Sequence, residues 1–142
     1  MISAVLDTNI LASGAITSFT PPGQILDAWR DAKFNLIVSE HILDEITRTL
    51  QKPYFRKHIT DDKLVSFIEL LQNEAITTLI IFPVHGVATH PEDDLTLATA
   101  VNADADYLVT GDDKLLKKVG KNYRGIKLVT PNEFLQLLEE NQ

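Results

Sequence analysis

The chain contains no cysteine, which removes disulfides, thiolate zinc sites and cysteine nucleophiles together. That absence agrees with a reducing compartment. Long apolar runs are also missing. The longest, Ala75 to Val84, is interrupted by two threonines and falls short of the ~20 residues of a membrane span. The start, Met1-Ile-Ser-Ala-Val-Leu-Asp7, has neither the basic residues nor the apolar core of a secretion signal, so a cytoplasmic protein without membrane attachment is expected. His41, His58, His85 and His90 form no His-x-x-x-His pair and no zinc spacing. Ser39 lacks a Gly-x-Ser-x-Gly elbow, and the chain has neither a Gly-x-Gly-x-x-Gly nor a phosphate-binding Gly-Lys-Ser/Thr loop. Serine hydrolases, dinucleotide binders and P-loop enzymes are thereby disfavoured.

What remains is a 142-residue chain, 44% hydrophobic, long enough for one domain spanning residues 1–142 with a substantial core. Its net charge of −7 argues against a polyanionic partner. Placement qualifies the sum, because two stretches are basic: Lys52-Pro-Tyr-Phe-Arg-Lys-His58, and Lys114 to Lys127 with five lysines and one arginine.

Strand-like and helix-like segments alternate, the pattern of a parallel sheet with crossover helices. Ile2 to Leu6, Phe34 to Val38, Ile76 to Phe82, Tyr107 to Thr110 and Ile126 to Val129 read as strands. Between them, helices are expected from Pro21 to about Asp31, Ser39 to Leu50, Asp61 to Glu74 and Glu92 to about Asp104, with a short one after Gly111. Thr130-Pro-Asn-Glu133 is a capping box opening a last helix, and the segment holding Gly14 and Ser18 reads as loop. The expected fold is a three-layer α/β/α sandwich around a parallel sheet of about five strands.

Four carboxylates stand out on this frame. Asp7 and Asp112 each follow a buried strand, where open parallel sheets place their ligands. Gly111 is expected to let the backbone turn sharply before Asp112. Asp94 shares a helical face with Leu97, Ala98 and Val101, whereas Asp93 is expected to point a quarter-turn away, toward solvent. An acid on a buried stripe is costly without a partner, which favours Asp94 as a ligand. Glu45 and Glu40 border opposite edges of the stripe made by Ile42, Leu43, Ile46 and Leu50, and periodicity leaves the choice open. Acids converging at one strand end repel one another unless a cation sits between them, and Mg²⁺ or Mn²⁺ suits oxygen ligands. A metal-dependent phosphodiesterase is the leading reading of the residues alone.

These pieces taken together resemble a PIN domain, of the kind that forms the ribonuclease component of bacterial and archaeal toxin–antitoxin pairs. The resemblance rests on Val5-Leu-Asp-Thr-Asn-Ile-Leu11, Ser39-Glu-His-Ile-Leu-Asp-Glu45, Pro91-Glu-Asp-Asp94 with Leu97-Ala-Thr-Ala100, and Ala105-Asp-Tyr-Leu-Val-Thr-Gly-Asp112, in that order. It implies that Asp7, Glu45, Asp94 and Asp112 are the catalytic acids and hold one or two Mg²⁺ or Mn²⁺ ions, with Thr8, Asn9, Thr110 and Asp113 in support. Related chains often read Thr-Gly-Asp-Lys-Asp-Leu-Leu where this one has Thr110-Gly-Asp-Asp-Lys-Leu-Leu116, so the second acid has moved one place and the case for Asp113 weakens. Lys114 then stands where relatives carry a carboxylate. Single-stranded RNA is the implied substrate, with Lys52, Arg56, Lys57, Lys114 and Lys117 as candidate phosphate contacts. An antitoxin protein and a second copy of the chain are implied partners.

Three rival readings compete with this one. A haloacid-dehalogenase-type phosphatase needs a second aspartate two residues after the first, and Asn9 stands there. A receiver domain needs a pair of acids before the strand-one aspartate. A PIN-like RNA- or protein-binding module with little intrinsic cleavage is the remaining alternative.

Overall fold

Ala4, Val5 and Leu6 are fully buried in succession, as a strand covered on both faces requires. The computed structural model, which describes residues 1–141, places them in β1 (Ser3–Leu6), at the interior of the sheet. The elements that follow are α1 (Thr8–Ile16), α2 (Pro21–Arg30), β2 (Asn35–Val38), α3 (Glu40–Leu50), α4 (Pro53–Arg56), α5 (Asp61–Glu74) and β3 (Ile76–Thr77). After them come α6 (Pro91–Asn102), β4 (Tyr107–Val109), α7 (Asp113–Val119), β5 (Asn122–Tyr123), β6 (Ile126–Val129) and α8 (Pro131–Glu140). The strand order is β3-β2-β1-β4-β6-β5, with helices on both faces. Val5 lies opposite Ile37 of β2 on one side and Leu108 of β4 on the other, all parallel. Chain order runs outward from β1 through β2 to β3, then returns to the far side of β1. The reversal leaves a switch point at the carboxyl ends of β1 and β4.

Two differences from the sequence-based expectation concern the sheet. The segment Ile76–Phe82 pairs with β2 only over Ile76 and Thr77. Beyond them, the Asn102 side chain takes over the backbone, with Oδ1 accepting from the amides of Ile81 (2.9 Å) and Phe82 (2.8 Å) and Nδ2 donating to the Phe82 carbonyl (2.8 Å). β-Branched residues alone do not make a strand where no neighbour offers a ladder. The sheet also gains a sixth strand, β5, antiparallel to β6. Its two-residue turn uses Arg124 (φ 51°) and Gly125 (φ 86°), the left-handed pair that a tight hairpin of this twist demands.

The third difference is α1, where a loop was expected. Ile10, Leu11 and Ala12 are buried and give the segment an apolar face. Gly14 is a packing residue within it, because a Cβ there would lie 2.5 Å from Leu26 Cδ1 and 2.8 Å from the Pro22 carbonyl. Its small size lets α1 and α2 close on one another.

Phe34 and Phe134 meet edge to face at 5.0 Å between ring centroids, tying α8, which also packs on α2, to the start of β2. The capping box that opens α8 is formed: Thr130 Oγ1 accepts from the Glu133 amide (3.2 Å) and Glu133 Oε1 accepts from the Thr130 amide (3.0 Å). Thr130→Ala is expected to cost about 1 kcal/mol, read as a midpoint lowered by about 3 °C in thermal denaturation.

Candidate active site

Asp7 leaves β1 directly into the first turn of α1, and its backbone amide still bonds the Val109 carbonyl of β4 (2.9 Å). The side chain is thereby fixed at the switch point. Thr110, fully buried at the end of β4, donates from Oγ1 to Asp7 Oδ2 (2.9 Å) and accepts from the Asp112 amide (3.1 Å). One hydroxyl therefore joins two acids from adjacent strands. Asp112 caps α7, its Oδ1 accepting from the amides of Lys114 (2.9 Å) and Leu115 (3.3 Å). Burial pushes the Asp7 carboxyl above the ordinary aspartate range; the bond from Thr110 and the amides of Thr8 and Asn9 pull it down, and the Asp112 charge raises it further. Gly111 has no left-handed φ, and a Cβ there would meet only Ile10 Cδ1 at 3.9 Å, so the turn before Asp112 does not require glycine.

Glu45 comes from α3, held by Thr8, whose hydroxyl donates to Glu45 Oε1. Since Thr8 directly follows Asp7, α3 and α1 deliver Glu45 beside the first acid. Glu40 is exposed at the start of α3. The helix is set in place by Ser39, which caps it and whose hydroxyl lies 2.8 Å from Thr99 Oγ1 on α6. Thr99 Oγ1 spends its own hydrogen on the Leu95 carbonyl (2.9 Å), so Ser39 is the donor between the two.

The two neighbouring acids of α6 divide in the opposite sense to that expected. Asp94 is buried (6% exposed), and its carboxylate is taken up by three backbone amides of the preceding loop. Oδ2 accepts from Gly86 (2.9 Å), and Oδ1 from Val87 (3.2 Å) and Ala88 (2.7 Å). The partner that a buried acid needs is thus a turn of backbone rather than a cation. Asp93, expected to face solvent, is half-buried and lies within the field of the other acids. Burial, followed by the charges of Asp7 and Asp112 and more weakly Glu45, raises its pKa from 3.8 to about 6, with His90 opposing. The structure accordingly brings Asp7, Glu45, Asp93 and Asp112 together and turns Asp94 away to anchor the 86–88 loop. Helical periodicity correctly put Asp94 on the buried stripe. It could not show that the stripe's first turn faces a loop while the adjoining position faces the sheet end.

Asn9, Asp113, Lys114 and Lys117 are exposed around this end of the sheet, and Lys52, Arg56 and Lys57 are exposed in and beside α4. Arg56 is paired with Asp61. Among the described residues, no lysine or arginine forms an ion pair with Asp7, Glu45, Asp93 or Asp112. No group of three or more carboxylate or imidazole side chains among those residues is closed up around a single point. The donor set nevertheless suits a hard divalent cation: oxygen ligands, mutual repulsion, and two acids whose pKa is raised above the usual range. A cleft of about 500 Å³, lined by Met1, Trp29, Phe34 and Glu74, opens at the other end of the strands and contains none of these acids. No described helix is long and apolar enough to cross a membrane.

A family model described as a PIN domain matches residues 3–114, from the start of β1 to just beyond Asp112. An uncharacterized protein of Methanocaldococcus jannaschii is 27% identical over 146 aligned positions, which take in 98% of this chain and 93% of that protein.

Proposed function

The chain belongs to the PIN domain family, whose members are generally nucleases, and from that premise we propose that it is a metal-dependent endoribonuclease acting on single-stranded RNA. The observation that carries the reading is the set of acids at the switch point: among the described residues none is paired with a lysine or arginine, and burial and mutual charge raise the pKa of Asp7 and Asp93. Asp7, Glu45, Asp93 and Asp112 would hold the ion, with Asp93 in the role that helical periodicity favours for Asp94. A bound Mg²⁺ or Mn²⁺ would neutralise the acids and the scissile phosphate and supply the Lewis acidity that makes water a nucleophile. Thr110 fixes the Asp7 oxygen that faces it, while Thr8 does the same for one oxygen of Glu45. Asp112 keeps its capping oxygen on α7. No side chain here is a covalent nucleophile, so hydrolysis by water is the reaction this site supports.

Single strands suit a site at the strand ends, since they carry their phosphates and bases to the surface. Lys114 and Lys117 on α7, with Lys52, Arg56 and Lys57 at α4, are the cations available to the RNA backbone. A toxin role, an antitoxin partner, a cytoplasmic location and a homodimer complete the proposal. The test is cleavage of a labelled single-stranded RNA by the purified chain in Mg²⁺, Mn²⁺ or EDTA. Cutting that requires the metal and disappears in Asp7→Asn is expected. Equal cutting by the variant would assign the activity to a contaminant, and metal uptake without cutting would favour a binding module.

A further inference from the structure

We propose that His41 is a positioning residue that orients Glu45 for the cation, an inference that rests on the metal-dependent reading above. His41 and Glu45 stand four residues apart on α3, the spacing that brings two side chains side by side. Both are nearly enclosed, 11% and 16% exposed at the side chain. His41 Nε2 is a buried side-chain nitrogen with no hydrogen-bond partner among the described residues. Buried polar atoms are almost always paired, so one left open asks for a partner supplied in another state of the site. The nearest candidate is Glu45 Oε2, 3.7 Å away. That separation is about 0.7 Å beyond a good N–H···O contact, within reach of a small rotation of either side chain.

The other carboxylate oxygen is already engaged, since Thr8 donates to Glu45 Oε1. Glu45 is therefore flanked by a hydroxyl on one side and an imidazole on the other. When the acids draw together on a cation, a Glu45 rotation that closes the His41 contact gives the orphaned nitrogen its partner. The carboxylate is then held between two donors. Outer partners of this kind commonly change metal affinity by about 10- to 100-fold when removed. The histidine is thus assigned to ligand orientation and not to the reacting atoms.

Mn²⁺ binding to the full chain, followed by titration calorimetry, tests this alongside metal-free thermal denaturation. His41→Leu is expected to weaken Mn²⁺ binding at least about tenfold while leaving the metal-free midpoint unchanged or higher, because an unpaired buried nitrogen has gone. His41→Gln, which keeps an N–H at similar reach, should recover most of the affinity. In a Glu45→Gln background the His41→Leu change should lose its effect, since the histidine acts through that carboxylate. His41→Asn, polar but too short to reach, is read in the same way if leucine unfolds the helix. Wild-type affinity in His41→Leu, or an equal loss with and without Glu45, would overturn the positioning role. Failure of the wild type itself to bind Mn²⁺ would overturn the metal-dependent reading and this role with it.

Discussion

Asp93→Asn is expected to lower metal-dependent RNA cleavage by at least about a hundredfold, the upper end of what losing even an outer-shell partner costs. The same change should raise the metal-free stability of the protein at neutral pH. The two effects share one cause. At pH 7 the Asp93 carboxylate is ionised against its preference, since burial and the charges of Asp7 and Asp112 hold its pKa at about 6. Replacing it with a neutral amide relieves that repulsion; for a half-exposed group, solvent screening leaves the relief at about 1 kcal/mol. Asp94→Asn should behave in the reverse manner. Its three charge-assisted bonds to the amides of Gly86, Val87 and Ala88 become weaker, and the new NH₂ must face at least one N–H donor. A loss of about 2–3 kcal/mol follows, with the loop loosened and the unfolding midpoint lowered whether or not metal is present. Mn²⁺ affinity and the metal-free midpoint, measured on both variants, separate the roles. A stable Asp94→Asn protein that no longer binds metal, beside an Asp93→Asn protein that binds it normally, would return the ligand role to Asp94.

Much of the frame was legible because it is written in continuous apolar runs and caps. Ala4-Val-Leu6 and Leu36-Ile-Val38 announce buried parallel strands, and Ser39, Thr60 and Thr130 mark helix starts that the backbone adopts. Asp7 and Asp112 could be singled out for a topological reason, since a residue ending an interior strand must lie at the sheet's carboxyl edge. Less could be read where tertiary contact overrides local signal. Thr8 and Asn9 look like a turn, yet the apolar face of Ile10, Leu11 and Ala12 carries them into α1. Ile76–Phe82 looks like a strand, yet only its first two residues find a partner. Asp93 and Asp94 are adjacent and chemically identical, so which of them meets the other acids depends on where the 86–88 loop passes, a fact that the pattern of one helix cannot contain. The amides of that loop were the missing partner, and their signal was the Gly86 that lets the chain turn with φ 69°.

Proton linkage supplies the second large effect. An unfolded aspartate ionises near 3.8, whereas Asp93 in the fold keeps its proton until about 6. Between those values the folded state binds more protons than the unfolded state, so metal-free stability falls as pH rises through this window and levels off above it. Asp7, also raised, adds in the same direction. Glu133 is lowered by its capping bonds and works oppositely, being stabilising above its unfolded value and lost on acidification, which is why the difference between wild type and Asp93→Asn is the quantity to follow. A divalent cation reverses the trend, because it binds the ionised carboxylates and competes with the protons. At about a hundred times its dissociation constant, Mg²⁺ should add about 2.7 kcal/mol, or roughly 5–10 °C in midpoint, and do so increasingly from pH 5 to pH 7. Thermal denaturation across that range, in EDTA and in Mg²⁺, should therefore give two curves that diverge with pH for the wild type and much less for Asp93→Asn. Curves that stay parallel, with no stabilisation by Mg²⁺ or Mn²⁺ at any pH, would mean that the acids repel one another for some purpose other than holding a cation. Among the described residues, no lysine or arginine pairs with them.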